Sequence, residues 1–459
     1  MNASVWPNAG VANKPAVTED ALKIFTTLLL ASVALIGGAG LSFGADKTEI
    51  SVARFFGACE ADYGNVTDVS KGYGECGIIT AMMNKFNAES PDTHVKVDIV
   101  EWPGYDQLTA RIRSGEPPTI SVMHESVISD YQSRGLLEPL DDGLKAVGIV
   151  ASDFTAAAKA GVIKDGKIFA LPFDTHTWLW HINLNLFKQA GLIDSAGGAI
   201  LPKSANELLA QAKQFKEKTG KPYFIMVLAN ETAAYTRTFD TLLYQQGADF
   251  FADPNKVKFA SPEGKTALTL LKTLYDNGDI TKNEDYSATV SGFAAGEGGV
   301  MINGTWLVND YVVEAKKPGV PLSNGYAVAP FPQLYANPKV WADGHSWVIL
   351  KANLTDAQRK SAYSFLKFLW DNDFQWARTG HLPASQKVID SADFKALPFR
   401  SVLAPLSVNG TALPAAVRHQ FGVQDIEGEE VASAMRGDKT IDAALAGLED
   451  RVNKLLQSK

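Results

Sequence analysis

Five short stretches of this chain place aromatic, imidazole and carboxylate side chains at the ends of strand-like runs. His124 and Glu125 follow Thr119–Met123 (TISVM), and Asp174, His176 and Trp178 follow Ile168–Phe173 (IFALPF). Gly344, His345 and Trp347 lead into Val348-Ile349-Leu350. Trp306 closes Asn303-Gly304-Thr305-Trp306, directly after Val300-Met301-Ile302, and Trp102 opens Trp102-Pro103-Gly104-Tyr105 after Val95–Val100. Ligands of open α/β sheets sit beyond the carboxyl ends of strands, so polar groups there are better placed than most. Aromatic rings supply flat apolar surface, while imidazoles and carboxylates hydrogen-bond in fixed directions. Together they are equipment for holding a small solute. Trp178 and Trp347 suit hinge packing equally well, and Trp102 and Tyr105 suit either a cleft edge or a lid over a core.

Equipment for turnover is thinner. The chain has no HExxH, and its two cysteines have each other as partners. Acidic residues are plentiful, so a carboxylate pair for glycoside hydrolysis stays open. The histidines are scattered, and His176 and His181 lack the i, i+4 spacing of helical metal ligands, so no metal is expected. No P-loop occurs, and no cofactor is expected. Formal net charge is −8, from 43 Lys+Arg against 51 Asp+Glu, without a basic stripe, which argues against nucleic acid as a partner.

The elements that must position these residues follow from periodicity. With 459 residues, 46% of them hydrophobic, the chain is long enough for more than one core. Residues 49–56 read as a strand, and 77–89 as a helix with Ile78, Ile79, Met82, Met83 and Phe86 at helical spacing. Strands at 95–100 and 119–123 complete a strand–helix–strand alternation, which predicts a parallel α/β sheet. Asp165-Gly166-Lys167 is a hairpin turn. Residues 355–370 form an amphipathic helix burying Ala362, Phe365, Leu366, Phe368 and Leu369, and a closing helix runs from 440 to 456. Tyr235, Arg237, Asp240 and Tyr244 fall on one helix, whose shared face either lines a cleft or covers the core.

Near the amino end, residues 24–36 (IFTTLLLASVALI) are too short for a comfortable bilayer span but fit the apolar region of a signal peptide. Ser42-Phe43-Gly44 then places cleavage before Ala45, making residues 1–44 a leader. No cysteine follows the apolar run to carry a lipid, so the expected product is a soluble exported protein. In that compartment Cys59 and Cys76 read as one disulfide closing a glycine-rich loop.

Several of these segments, in this order, resemble the family 1 extracellular solute-binding proteins, the sugar-capturing subunits of ABC importers. The stretches that carry the resemblance are Gly135–Leu140 (GLLEPL), Trp180–Leu192 (WHINLNLFKQAGL), Ser291–Trp306 (SGFAAGEGGVMINGTW), residues 324–333 (NGYAVAPFPQ) and Gly380–Ser385 (GHLPAS). The cysteine-closed insertion departs from the pattern. The resemblance implies an α/β, two-lobed periplasmic binding protein fold with three interlobe crossovers forming a hinge. Lobe one would take 45–172 plus 334–380, and lobe two 173–333 plus 381–459. It implies a periplasmic monomer that captures a neutral mono- or oligosaccharide or polyol by hinge closure and delivers it to ABC permease subunits in the inner membrane. A separate ATPase would supply the energy, and no catalysis is expected. Trp306 would be the main sugar-stacking plate, with His124, Glu125, Asp174, His176, Trp178, Gly344, His345, Trp347 and Trp102 around it. Two alternatives accompany this expectation: a binder of an anionic sugar for the same kind of importer, and a secreted carbohydrate-active enzyme.

Overall fold

The computed structural model describes residues 47–458, so the expected leader and its cleavage site lie outside the described residues. Two hydrophobic cores form, each on its own sheet. In the first sheet, Thr48–Arg54 lies parallel between Thr93–Ile99 and Ile120–His124. His345–Ile349 then runs antiparallel to Ile120–His124, with Leu171–Pro172 on its far side. The helix Gly74–Glu89 covers this sheet with Ile78, Ile79, Met82, Met83 and Phe86, as its spacing predicts. The helix Asp356–Asp371 adds Ala362, Phe365, Leu366 and Leu369, while Phe368 is only partly buried. Thr355 starts that helix with a capping box, its hydroxyl accepting from Gln358 N–H while Gln358 reaches back.

The second sheet is organised by one strand, Asp174–Asn183, buried along its whole length. It pairs antiparallel with Val300–Gly304, Tyr326–Pro330, Val340–Asp343 and Leu382–Pro383. A strand buried on both faces reads as an apolar run rather than an alternation, which explains Trp178-Leu179-Trp180 within it. The short hairpin Ile163–Lys164 to Lys167–Ile168 turns through Asp165 and Gly166, both at positive φ.

Phe173 packs in the first core and Trp178 in the second; Trp341 packs in the second and Trp347 in the first. Residues 376–384 divide between the two, with Trp376 and Ala384 in the first and Ala377 and Leu382 in the second. The second core extends past the boundary expected at 334. Leu334, Val340 and Trp341 belong to the second core, and Tyr326–Pro330 pairs with Asp174–Asn183 in its sheet. The segment 324–333 therefore stays on the second core, and the chain returns only between Trp341 and Trp347.

Cys59 and Cys76 are disulfide-bonded across a sequence separation of 17. Arg54, buried beneath this loop, donates to Gly57 O (2.6 Å), Glu60 Oε1 (3.1 Å) and Thr80 Oγ1 (3.0 Å). Closing a loop of this length stabilises a fold by about 3 kcal/mol in the chain-entropy model. Reduction is expected to lower the unfolding free energy by that order, measured by thermal melts with and without reductant.

A second prediction concerns two buried acids. Asp240 and Glu427 face each other between the helices Ala233–Gln246 and Gln420–Arg436, and neither has another hydrogen-bond partner. Burial pushes both carboxyls up, Asp240 to about 7, so the pair holds protons where ordinary carboxylates have lost them. The unfolded chain ionises first, so the pair's stabilisation is intact in acid and is lost as pH rises from about 4 towards 7. The double variant Asp240→Asn/Glu427→Gln is expected to flatten that decline, read from melting temperatures across the pH range.

Candidate functional site

A cavity of about 430 Å³ opens where the two sheets meet. Sheet register explains what gathers there. His345 pairs with His124 across the first sheet, His176 pairs with Asp343, and Trp178 pairs with Gly304 in the second. Six of the expected residues line the cavity: Trp102, His124, His176, Trp178, Trp306 and His345. Phe55, Phe56, Gly57, Glu75, Glu101, Glu231, Ala233, Arg237, Tyr286 and Asn303 complete the lining.

Trp306 is half-buried on a single turn, Thr305–Leu307, right after the strand Val300–Gly304, and its Nε1 donates to Tyr286 Oη (2.9 Å). The Asn-Gly-x-Trp spacing has a steric reason. A Cβ on Gly304 would lie 1.9 Å from the Trp306 ring, so the indole folds back over a position that only glycine leaves empty. Gly304→Ala is therefore expected to displace the plate and weaken solute binding by about tenfold or more. Titration calorimetry of the variant, with circular dichroism as the fold control, checks this.

Arg237 comes from the helix Ala233–Gln246 and is 8% exposed. Its guanidinium carbon lies 4.4 Å from the Trp341 ring centre, 5.4 Å from that of Trp178 and 5.5 Å from that of Trp306. Cation–π attraction fixes it there, and its Nε is buried without a partner. Of the four polar residues expected on one face of this helix, Arg237 alone lines the cavity. Tyr235 instead donates to Leu228 O, and Asp240 turns to Glu427.

Below the cavity floor, Asp174 is fully buried and organises the imidazoles. Oδ1 accepts from His176 Nδ1 (3.1 Å) and the His345 N–H (3.2 Å); Oδ2 accepts from His345 Nδ1 (2.8 Å) and Trp376 Nε1 (2.7 Å). Burial alone would raise this carboxyl, but the charge of His345 and His381 and the hydrogen bonds from His176 and His345 outweigh it and hold the group well below its usual range. For His176 burial wins, lowering the ring to about 3, helped by the His345 charge. Burial also takes His124 well down. His345 is raised, because Asp174 overcomes the burial that would lower it.

Four expected residues stand elsewhere. Asp174 supports the floor without lining the cavity. Glu125 accepts from Ser346 Oγ (3.2 Å) and is pushed well up by burial and by Asp343 and Asp174 nearby. Gly344 is pressed against its neighbours, since a Cβ there would meet Asp174 O at 2.6 Å. Trp347 is a correction: it is 0% exposed and packs on Phe56, Phe173 and Phe365 in the first core. Lying two residues inside its strand, it sits roughly 7 Å below the rim that His345 occupies.

Glu75, Glu231, Tyr286, Asn303, Phe55 and Phe56 were not expected as site residues. Glu75 lies beside Cys76, in the insertion that departs from the family pattern. Asn303, by contrast, had a signal in the Asn-Gly-x-Trp motif itself.

Comparison with known proteins completes this picture. The family model described as bacterial extracellular solute-binding protein matches residues 81–400. The sn-glycerol-3-phosphate-binding periplasmic protein UgpB of Escherichia coli is 23% identical over 456 residues, covering 91% of this chain and 95% of its own. The maltotriose-binding protein of Pyrococcus abyssi is 22% identical over 339 residues, covering 70% and 66%. Among solved structures, maltose-bound MalE3 of T. maritima superposes with a TM-score of 0.74 at 19% identity, covering 89% of this chain and 99% of that one. With a mixed α/β architecture like that of these two-lobed binding proteins and a family match over most of its length, the chain belongs to the bacterial extracellular solute-binding proteins.

Proposed function

We propose that this protein captures a neutral sugar or polyol in the cavity between its sheets, closes around it by a hinge at the inter-core segments, and delivers it to an ABC permease from the periplasm. The observation that carries this reading is the lining itself. Trp102, Trp178, Trp306 and Tyr286 offer flat faces, while Glu75, Glu231, Asn303 and Arg237 offer directional hydrogen bonds. Sugars present both apolar C–H faces and hydroxyls, and charged partners strengthen the bonds to those hydroxyls. Three carboxylates against one guanidinium favour an uncharged solute. The relatives named for maltotriose and maltose support it.

A second reading has its own observation. The buried Arg237 guanidinium has no carboxylate in salt-bridge contact among the described residues, as expected for a cation awaiting an anionic group, and one relative is named for a glycerol phosphate. Titration calorimetry with neutral sugars, polyols, sugar phosphates and glycerol phosphates, on wild type, Trp306→Ala and Arg237→Met, separates the two. The neutral reading expects the tightest ligand to be uncharged and to be lost in Trp306→Ala. A tightest ligand bearing phosphate, lost in Arg237→Met, favours the second. Chromatography of the recovered solute should return it unchanged, and its consumption would indicate an enzyme instead.

A further inference from the structure

Three cavity-lining imidazoles are held in one orientation by oxygen partners behind them. His124, His176 and His345 are 3%, 1% and 5% exposed, come from three different strands, and each offers a ring nitrogen within 4.8 Å of the other two. Their ring centres lie 4.4 Å (His176–His345), 4.9 Å (His124–His345) and 6.0 Å (His124–His176) apart.

In each ring the oxygen partner engages Nδ1. An ionised carboxylate only accepts, so Asp174 fixes hydrogens on Nδ1 of both His176 (3.1 Å) and His345 (2.8 Å). His124 Nδ1 lies 2.5 Å from Tyr105 Oη, which also accepts the His124 backbone N–H at 2.9 Å; the hydroxyl can donate to Nδ1 or accept from an Nδ1–H, so Nδ1 is engaged in either tautomer. That leaves Nε2 as the uncommitted nitrogen of each ring. Metal-bound histidines show this arrangement: one nitrogen ligates while the other donates to a carboxylate or another oxygen.

Two neighbouring clusters include His381 and lack this property. His381 Nε2 is engaged with Glu75 Oε1 (2.8 Å) and Nδ1 with Thr305 Oγ1 (3.3 Å), so neither nitrogen is free.

The geometry points to a three-nitrogen site for a divalent transition-metal ion, made by Nε2 of His124, His176 and His345 and oriented by Asp174 and Tyr105. An all-imidazole set suits Zn²⁺, Co²⁺, Ni²⁺ or Cu²⁺ and disfavours Mg²⁺ and Ca²⁺, which prefer oxygen. A tetrahedral ion with Zn–N near 2.0–2.1 Å places its donors about 3.3 Å apart, so the three nitrogens, within 4.8 Å of one another, must draw closer when the ion binds. Three protein ligands leave a fourth position facing the cavity, open to water or a solute oxygen. This site stands independently of which solute the cleft takes.

The test is direct titration of the chelator-treated full chain. One equivalent of Zn²⁺ should bind by calorimetry, and Co²⁺ should give the intense visible bands of a low-coordinate nitrogen site. Asp174→Asn is expected to weaken binding by about 10–100-fold, the range for losing a ligand-orienting partner, and His176→Ala by more. His94→Ala, exposed on the outer strand, should leave it unchanged. Because the site residues are buried, nitrogen-15 NMR of wild type adds a reading that needs no variant: Zn²⁺ should shift Nε2 of three histidines. Absence of stoichiometric binding by wild type, or binding that persists in a folded His176→Ala chain, would overturn the proposal. Solute titrations run with chelator present test the sugar reading separately.

Discussion

Trp306→Ala is expected to weaken solute binding by about 2–4 kcal/mol, roughly thirtyfold to nearly a thousandfold. The indole is the plate whose position is fixed twice, by the empty Gly304 beneath it and by the Nε1 bond to Tyr286. It also carries one face of the Arg237 cation–π stack, so its removal loosens the charged donor as well. Trp306→Phe keeps a flat face but loses the Tyr286 bond, and should recover much of the affinity. Calorimetry on the three proteins with one solute checks the order. Equal affinity for wild type and Trp306→Ala would remove the plate from the account.

Asp174→Ala is expected to destabilise the fold by about 3–5 kcal/mol, as happens when one partner of a buried charge network is removed. Four donors would be left facing a void: His176 Nδ1, His345 Nδ1, the His345 N–H and Trp376 Nε1. Acid should reproduce the loss in wild type. The Asp174 carboxyl is held below its unfolded value, so its contribution is complete above about pH 4 and disappears as pH falls through the depressed folded value. His345 works in the opposite sense. Raised in the fold, its contribution is complete below about pH 6.5 and declines as pH rises through its folded value. Denaturant melts of wild type and Asp174→Ala check both directions, and a difference under about 1 kcal/mol would mean that Asp174 does not support the floor.

The residues at strand ends were legible in the sequence because their position needs only local information. A strand that stops at His124 and a turn after Asn303 can each be read from periodicity and turn chemistry, whereas the run expected to end at Phe173 breaks into short strands and the long buried strand begins at Asp174. What could not be read was which of them share a wall. His124, His176 and His345 look scattered along the chain and become neighbours only through two pairings, His345 with His124 and His176 with Asp343. The depth of Trp347 was hidden for a related reason, since a two-residue repeat gives the same face to a rim residue and to the core residue below it. Arg237 was visible on its helix, but the choice between cleft and core depends on how that helix is rotated against Trp341. Where the chain leaves the second core was hidden because a strand that pairs in that sheet looks, locally, like a strand leaving it.

The central claim is that the cleft holds an uncharged sugar or polyol. The most direct measurement is a thermal-shift screen of the chain against neutral sugars, polyols, acidic sugars and sugar phosphates, with Trp306→Ala in parallel. A ligand at about a thousand times its dissociation constant stabilises by roughly 4 kcal/mol. The account predicts a clear upward shift from a neutral sugar or polyol that vanishes in Trp306→Ala. No shift across the neutral panel from a folded protein, or an equal shift in both proteins, would contradict it.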